Sequence, residues 1–250
     1  MNQIAEAIAY HGWGFDHTCW QFWKTACDRQ GIVLRCFDRG YFGKSVSPAF
    51  SPSSAYKLIL THSYGLHLCP QEHLHQADLI VILSGFQSFH PSQPTARRRS
   101  QLTLQQMIRQ FEHSPQMVLE TFWATCYHPL AWKGDAVEMW KDVEMWKEIR
   151  QEKGASLNTD LLNTGLLLQD LRALDTACLD VNSLKNRSKI LIIHGASDRI
   201  TPPNCAQELC QALPTSDYVE LPAAGHALPM THLEDSWRSL ALLLQGLPTS

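Results

Sequence analysis

No apolar run in these 250 residues approaches the roughly 20 needed to cross a bilayer, which excludes a membrane-spanning helix. Met1–Tyr10 has neither a basic opening nor a long apolar stretch, so it does not read as a signal peptide. Cysteine is present eight times, yet no two cysteines form a C-x-x-C pair. Scattered thiols without a secretion signal read as reduced, in a cytoplasm; a disulfide-bonded secreted enzyme is the alternative. Charge of one sign is also lacking. The formal net charge is -3 and the sequence pI is near 6.4, which gives no general reason to expect nucleic acid or an anionic membrane as partner. What is there is apolar material: 44% of the chain is hydrophobic, ample for one large core, and the length allows one or two domains.

Short apolar runs alternate with helical patterns. Ile4–Tyr10 is read as a strand because His11-Gly12-Trp13-Gly14 follows, and then Phe15–Gln30 at helical spacing. Ile32–Phe37 is a second strand, and a Ser/Pro-rich loop covers Val46–Ser54. Tyr56–His62 is the third strand, Ala77–Leu83 the fourth, Lys189–His194 the fifth, and Tyr218–Leu221 a short sixth. Pro202-Pro203 opens a helix to Leu213, and Leu233–Leu244 closes the chain as an amphipathic helix. Strands alternating with helices imply a parallel sheet covered on both faces, the α/β class.

Between the fourth and fifth strands the pattern changes, and Pro91–Asp175 shows no convincing strand. Leu104, Met107, Ile108 and Phe111 share one helical face, and Ser114-Pro115 reads as a cap and first-turn proline for a helix through Tyr127. A third helix is expected from Gly134-Asp135 to Gln151. It carries a local duplication, Val137-Glu138-Met139-Trp140-Lys141 and Val143-Glu144-Met145-Trp146-Lys147. A fourth is expected over Leu157–Leu174. The reading is a core over residues 1–90 and 176–250 with a helical lid over residues 91–175.

The third strand stops at His62-Ser63-Tyr64-Gly65, the outline of a nucleophile elbow, the tight strand-to-helix turn that exposes a serine at the end of a sheet. Such a turn wants small residues two before and two after the serine. Gly65 satisfies one side, while Thr61 stands where glycine is usual and is expected to widen or strain the turn. Pro70 is expected to shorten or break the helix that follows. Two further candidates lie just past strand ends, Asp198 and His226. A serine hydroxyl needs an adjacent base to attack; His226 can take its proton, and Asp198 can hold the imidazole tautomer. The chain order Ser, Asp, His is the one known for this kind of sheet.

The chain resembles the α/β-hydrolases that carry a helical lid. The carrying residues are His11–Gly14, Asp38-Arg39-Gly40-Tyr41-Phe42-Gly43-Lys44-Ser45, Ser63-Tyr64-Gly65, Gly195-Ala196-Ser197-Asp198 and Gly225-His226. More narrowly, it is similar to the pimeloyl-acyl carrier protein methyl ester esterases of biotin synthesis. That likeness rests on His-Gly-Trp-Gly with Trp20 six residues past Gly14, on Leu162-Asn163-Thr164-Gly165-Leu166, and on compact size. The resemblance implies a serine carboxylesterase with Ser63, Asp198 and His226 as its triad and the Trp13 and Tyr64 amides as its oxyanion hole. It implies no metal or organic cofactor; a monomer is expected, though sequence does not fix the oligomeric state. It also implies an acidic acyl carrier protein as partner, held through lid arginines. Arg97, Arg98, Arg99 and Arg109 are the candidates: Pro91–Lys133 holds five basic residues against two acidic ones.

Plainer readings stand beside these. Ser63 could be a turn serine, Asp198 a helix cap, His226 a loop residue, Trp13 a pocket wall, and the arginines a solvated helix face. A small-ester esterase, an acyl thioesterase and a hydrolase-like binding module without turnover are the alternatives. Asp38 is read as fixing a turn. His62, His67, His73 and His75 cluster in sequence, but no carboxylate or cysteine falls at ligand spacing beside them, which argues against zinc.

Overall fold

The computed structural model describes residues 5–130, 162–184 and 188–244. Six strands form one sheet: β1 Ala5–Tyr10, β2 Ile32–Cys36, β3 Tyr56–His62, β4 Leu79–Leu83, β5 Lys189–Gly195 and β6 Asp217–Leu221. Their order is β2-β1-β3-β4-β5-β6, and every pair is parallel.

Burial follows position in the sheet. All five residues of the central β4 are buried, whereas the edge strands β2 and β6 are largely half-buried or exposed. Because side chains alternate across a strand, Leu79, Val81 and Leu83 join one core with Leu191 and Ile193 of β5, and Ile80 and Ile82 join the other with Ile190 and Ile192. A sheet buried on both faces needs such continuous apolar runs.

The chain runs from β1 outward to β2 and then crosses back to place β3 on β1's other side. The loops after β1 and β3 therefore leave in opposite directions and open a crevice at the carboxyl ends of the strands, where open α/β sheets bind ligands.

The stretch expected as one helix from Phe15 is two pieces. A 3₁₀ turn, His17–Trp20, is capped by Asp16, and α1, Gln21–Arg29, follows. After β3 the helix is short: α2 spans Gly65–Leu68, Cys69 and Pro70 are extended, and α3 resumes at Gln71–Gln76. Pro70 has no N–H to continue a helix, and the residue before a proline is pushed out of the helical region.

Among the described residues, three α-helices lie between β4 and β5, followed by a 3₁₀ turn, Val181–Ser183. The three helices are α4 Pro94–His113, α5 Pro115–Tyr127 and α6 Thr164–Ala173. Helix α4 begins earlier than its apolar face suggests, because the Gln93 side chain accepts from the Ala96 N–H and caps it. Pro115 opens α5 as expected, but the Ser114 side chain makes no capping bond. Helix α6 starts only at Thr164, since Asn163 turns its side chain onto the Leu166 N–H. Leu162 is thus outside the helix expected over Leu157–Leu174, a polar cap having overridden apolar spacing. The third expected helix with its duplication, Lys133, and Leu157–Leu161 lie outside the described residues. Helices α7 Pro203–Ala212, α8 Leu228–Thr231 and α9 Leu233–Leu244 complete the chain.

The inserted helices share a core with the sheet. Leu104, Phe111, Leu119 and Leu167 are buried with Trp13 and Leu83. A polar tie reinforces them: Arg39, in the loop after β2, grips both carboxylate oxygens of the buried Asp170 on α6 at 2.7 and 2.9 Å, and Tyr41 donates to the same group at 2.7 Å. Arg39→Ala would leave Asp170 buried with the tyrosine alone. A loss of about 3 kcal/mol is expected in urea unfolding. Arg39→Lys should recover only part of it, because an ammonium lacks the planar fork.

Candidate active site at the carboxyl edge of the sheet

Ser63 stands at the end of β3 with φ 53°, a left-handed conformation that a side chain disfavours. The position is held from both sides: its N–H donates to the Leu83 carbonyl at 2.9 Å, and α2 begins two residues later. Gly65 is required there, since a β-carbon would collide with the Tyr10 carbonyl. Thr61 does not widen the turn. It pairs in register with Tyr10 and Ile82, is fully buried, and donates its hydroxyl to the Val81 carbonyl at 3.3 Å. The elbow needs glycine where backbone meets backbone, and Thr61 instead points at a neighbouring strand that can accept its proton. The loop after β1 closes on the serine: a β-carbon on Gly12 would lie 2.9 Å from that of Ser63.

Asp198 follows β5 and His226 follows β6, and both are buried. The Nδ1 of His226 lies 2.8 Å from Asp198 Oδ2. The other oxygen, Oδ1, accepts the Ile200 and Thr201 N–H groups at 2.8 and 2.9 Å, so Asp198 caps its own turn; α7 begins only at Pro203. Burial alone would raise this carboxyl's pKa, but His226, then His194 and the Ile200 amide, hold it below the usual carboxylate range. An ionised Asp198 fixes the proton on Nδ1, which leaves Nε2 as the basic nitrogen. That Nε2 is buried and has no hydrogen-bond partner among the described residues. The ring sits 5.0 Å from that of His62, whose Nε2 lies 3.0 Å from the His226 carbonyl. No hydrogen bond joins Ser63 to His226 in this structure.

Trp13, Ser63 and Tyr64 line one cavity of about 390 Å³. The Trp13 and Tyr64 amides, the expected oxyanion donors, make no hydrogen bond among the described residues. The Trp13 indole N–H is engaged elsewhere, donating to the Leu167 carbonyl of α6 at 2.8 Å, so the backbone N–H is the donor left to a ligand. Phe89, Leu104, Met107, Phe122, Leu171 and Leu174 make the cavity apolar. The four arginines differ in their surroundings. All are exposed on α4, but Arg99 lines the cavity while Arg97, Arg98 and Arg109 do not.

Sequence reading missed three residues of this site. His194 on β5 places Nε2 3.3 Å from Asp198 Oδ2 and 2.7 Å from the Thr201 carbonyl. The Thr201 hydroxyl lies 3.0 Å from the same oxygen and 3.2 Å from His226 Nδ1. Arg199 lines the cavity directly after Asp198. A histidine at a strand end before the aspartate was visible, but nothing local said which way it faced.

The histidines near the elbow do not converge. His67 lies against the Phe86 carbonyl at 3.1 Å, His73 against the Tyr10 hydroxyl, and His75 is exposed. Asp16, His17 and Asp38 bring ligand atoms together near the loop after β1. Their contacts are internal: Asp16 caps the turn at Thr18, and Asp38 takes His17 and the Gly40 N–H, the turn-fixing role expected of it.

Burial lowers the pKa of His62, His67 and His194, His67 to about 4. The folded protein keeps these rings neutral where an unfolded chain protonates near 6.5, so the unfolded state binds more protons below that pH. Stability is therefore full above about 6.5 and falls on acidification, by up to about 1.4 kcal/mol per pH unit for each ring until its folded pKa is reached. Urea midpoints at pH 7.5 and 5.5 should differ in that sense; equal midpoints would contradict it.

No protein-family model matches the sequence, and no curated protein matches it. Solved structures do. An esterase from Exiguobacterium antarcticum superposes with a TM-score of 0.73 at 14% identity, covering 98% of this chain and 94% of its own. A bromoperoxidase from Bacillus anthracis gives 0.71 at 16% identity over 97% and 92%. An α/β-hydrolase enzyme from a Medee basin deep-sea metagenome library gives 0.69 at 15% identity over 100% and 92%. The chain has the α/β-hydrolase fold.

Proposed function

We propose that this protein is a serine hydrolase of carboxylic esters. The observation that carries the reading is the buried Asp198–His226 pair, whose Nε2 has no partner among the described residues, at the same carboxyl edge of the sheet as Ser63 on its left-handed turn. In the proposed reaction Ser63 Oγ attacks the ester carbonyl while His226 Nε2 takes its proton. The Trp13 and Tyr64 amides receive the oxyanion, each donor contributing roughly 100-fold or more. The intermediate collapses, His226 returns the proton to the departing alcohol, and an acyl group stays on Ser63. Water, deprotonated by the same nitrogen, then releases the acid. The Ser63–His226 bond closes when substrate enters, since catalytic hydrogen bonds are often long without it. A fluorophosphonate probe tests the reading. It should label the protein once, at Ser63, and the Ser63→Ala variant not at all; equal labelling of both removes the proposal.

The finer reading is the methyl ester of pimeloyl-acyl carrier protein. It rests on the resemblance in His11–Gly14 and Leu162–Leu166, on the apolar cavity, and on exposed arginines for an acidic carrier. Arg98 and Arg109 lie on nearly the same side of α4, about three turns apart, as a docking row would. Helices α4 to α6 serve as the lid in this reading. A cytoplasmic location accords with eight free cysteines. Charge reversal at Arg97, Arg98 and Arg109 should raise KM several-fold for carrier-bound substrate and spare small esters, and the protein should rescue a biotin-requiring strain that lacks its methyl esterase. The cavity suits general small-ester or thioester hydrolysis equally well, and failure of rescue with intact ester turnover would select that.

A further inference from the structure

The charge in the cavity wall runs against the charge of the chain. The protein carries a formal net charge of -3, yet among the described residues the only charged ones lining the cavity are two arginines, Arg99 and Arg199, and no described carboxylate lines it. They come from elements distant in sequence, Arg99 from the early part of α4 and Arg199 from the turn after β5. Neither forms an ion pair with a described residue, whereas Arg35, Arg39, Arg172 and Arg238 each meet a carboxylate. Of the remaining polar lining, Thr103 and Asn204 can donate hydrogen bonds, while the Ser100 hydroxyl lies 2.8 Å from His90 Nδ1. The rest of the wall, apart from Ser63, is apolar or aromatic.

We propose that the substrate is amphiphilic and anionic: an apolar chain fills the cavity, and a carboxylate or phosphate on it is held between Arg99 and Arg199. This rests on the ester-hydrolase reading and names its substrate class. The guanidinium fork matches both oxyanions, and a group held between two such forks is recognised by shape as well as charge. Because Arg199 and Ser63 line the same cavity, the held anion shares it with the reacting centre. Both arginines are exposed, so the attraction should weaken as salt rises. The anion has two possible sources, a free half-ester of a dicarboxylic acid or the phosphate of a carrier's prosthetic arm.

The test compares three p-nitrophenyl esters of equal chain length, ending in a methyl, a carboxylate or a phosphate. At low salt the wild type should favour one anionic ester over the neutral one by about tenfold or more in kcat/KM, chiefly through KM. Arg99→Gln and Arg199→Gln should each lower kcat/KM for the favoured anionic ester by several-fold more than for the neutral one, removing most of that preference. Preference for the carboxylate points to the half-ester, and for the phosphate to the carrier arm. Equal turnover of all three esters by the wild type, or equal loss on all three in the variants, overturns the proposal while leaving the esterase intact. Calorimetry with octanoate, octyl phosphate and octanol on Ser63→Ala protein reads the anion site without catalysis. Weaker anion binding in the Arg99→Gln and Arg199→Gln backgrounds supports it even if no ester is turned over; equal binding of octanol and both anions sinks it.

Discussion

Ser63→Ala is expected to lower kcat for ester hydrolysis by about 10⁴- to 10⁶-fold and to leave the fold intact. The size follows from what is removed: without the hydroxyl no acyl-enzyme forms, and only the oxyanion donors and substrate binding remain. Folding should survive because the hydroxyl makes no hydrogen bond among the described residues; the Ser63 N–H to Leu83 and the packing of Gly65 against Tyr10 hold the elbow. A companion variant separates chemistry from conformation. Ser63→Gly removes the nucleophile and also relieves a side chain held at φ 53°, so it should gain about 1 kcal/mol in urea unfolding while losing activity to the same extent. Substantial turnover by either variant would move the nucleophile elsewhere.

The second large effect is expected at Asp198. Asn keeps the shape but not the charge, and the surroundings dictate how it sits. The Ile200 and Thr201 N–H groups require an acceptor at the Oδ1 position, so the amide oxygen stays there and the NH₂ replaces Oδ2. That NH₂ then faces His226 Nδ1, which can meet it only as an acceptor. The ring proton moves to Nε2, the nitrogen that takes the serine proton in the proposed reaction. A loss of about 10⁴-fold in kcat is expected, with KM little changed. His194→Gln should be milder, about tenfold, because His194 reaches the same oxygen only at 3.3 Å. An Asp198→Asn variant within tenfold of wild type would remove Asp198 from the mechanism.

Much of this was legible in order along the chain. Strands β3, β4 and β5 are short apolar runs ended by Gly or Ser, and their buried periodicity is visible without coordinates because a strand covered on both faces must be apolar at every position. Pro70 announced the broken helix by its missing N–H. Thr61 misled, because whether a side chain crowds a turn depends on the strand beside it, here one whose Val81 carbonyl accepts a hydrogen bond. Asn163 and Gln93 were missed as caps, since a polar side chain folded back on its own backbone leaves no trace in apolar spacing.

Local chemistry by itself therefore determined the parallel class, the strand ends and which residue types stand there, because backbone propensity and burial act over a few residues. Only tertiary structure decided which of those residues meet. His194, Thr201 and His226 converge on one carboxylate, and Arg99 and Arg199 reach one cavity wall from distant segments. Such meetings depend on the order of strands in the sheet and on how the inserted helices pack over it, and no spacing along the chain encodes either.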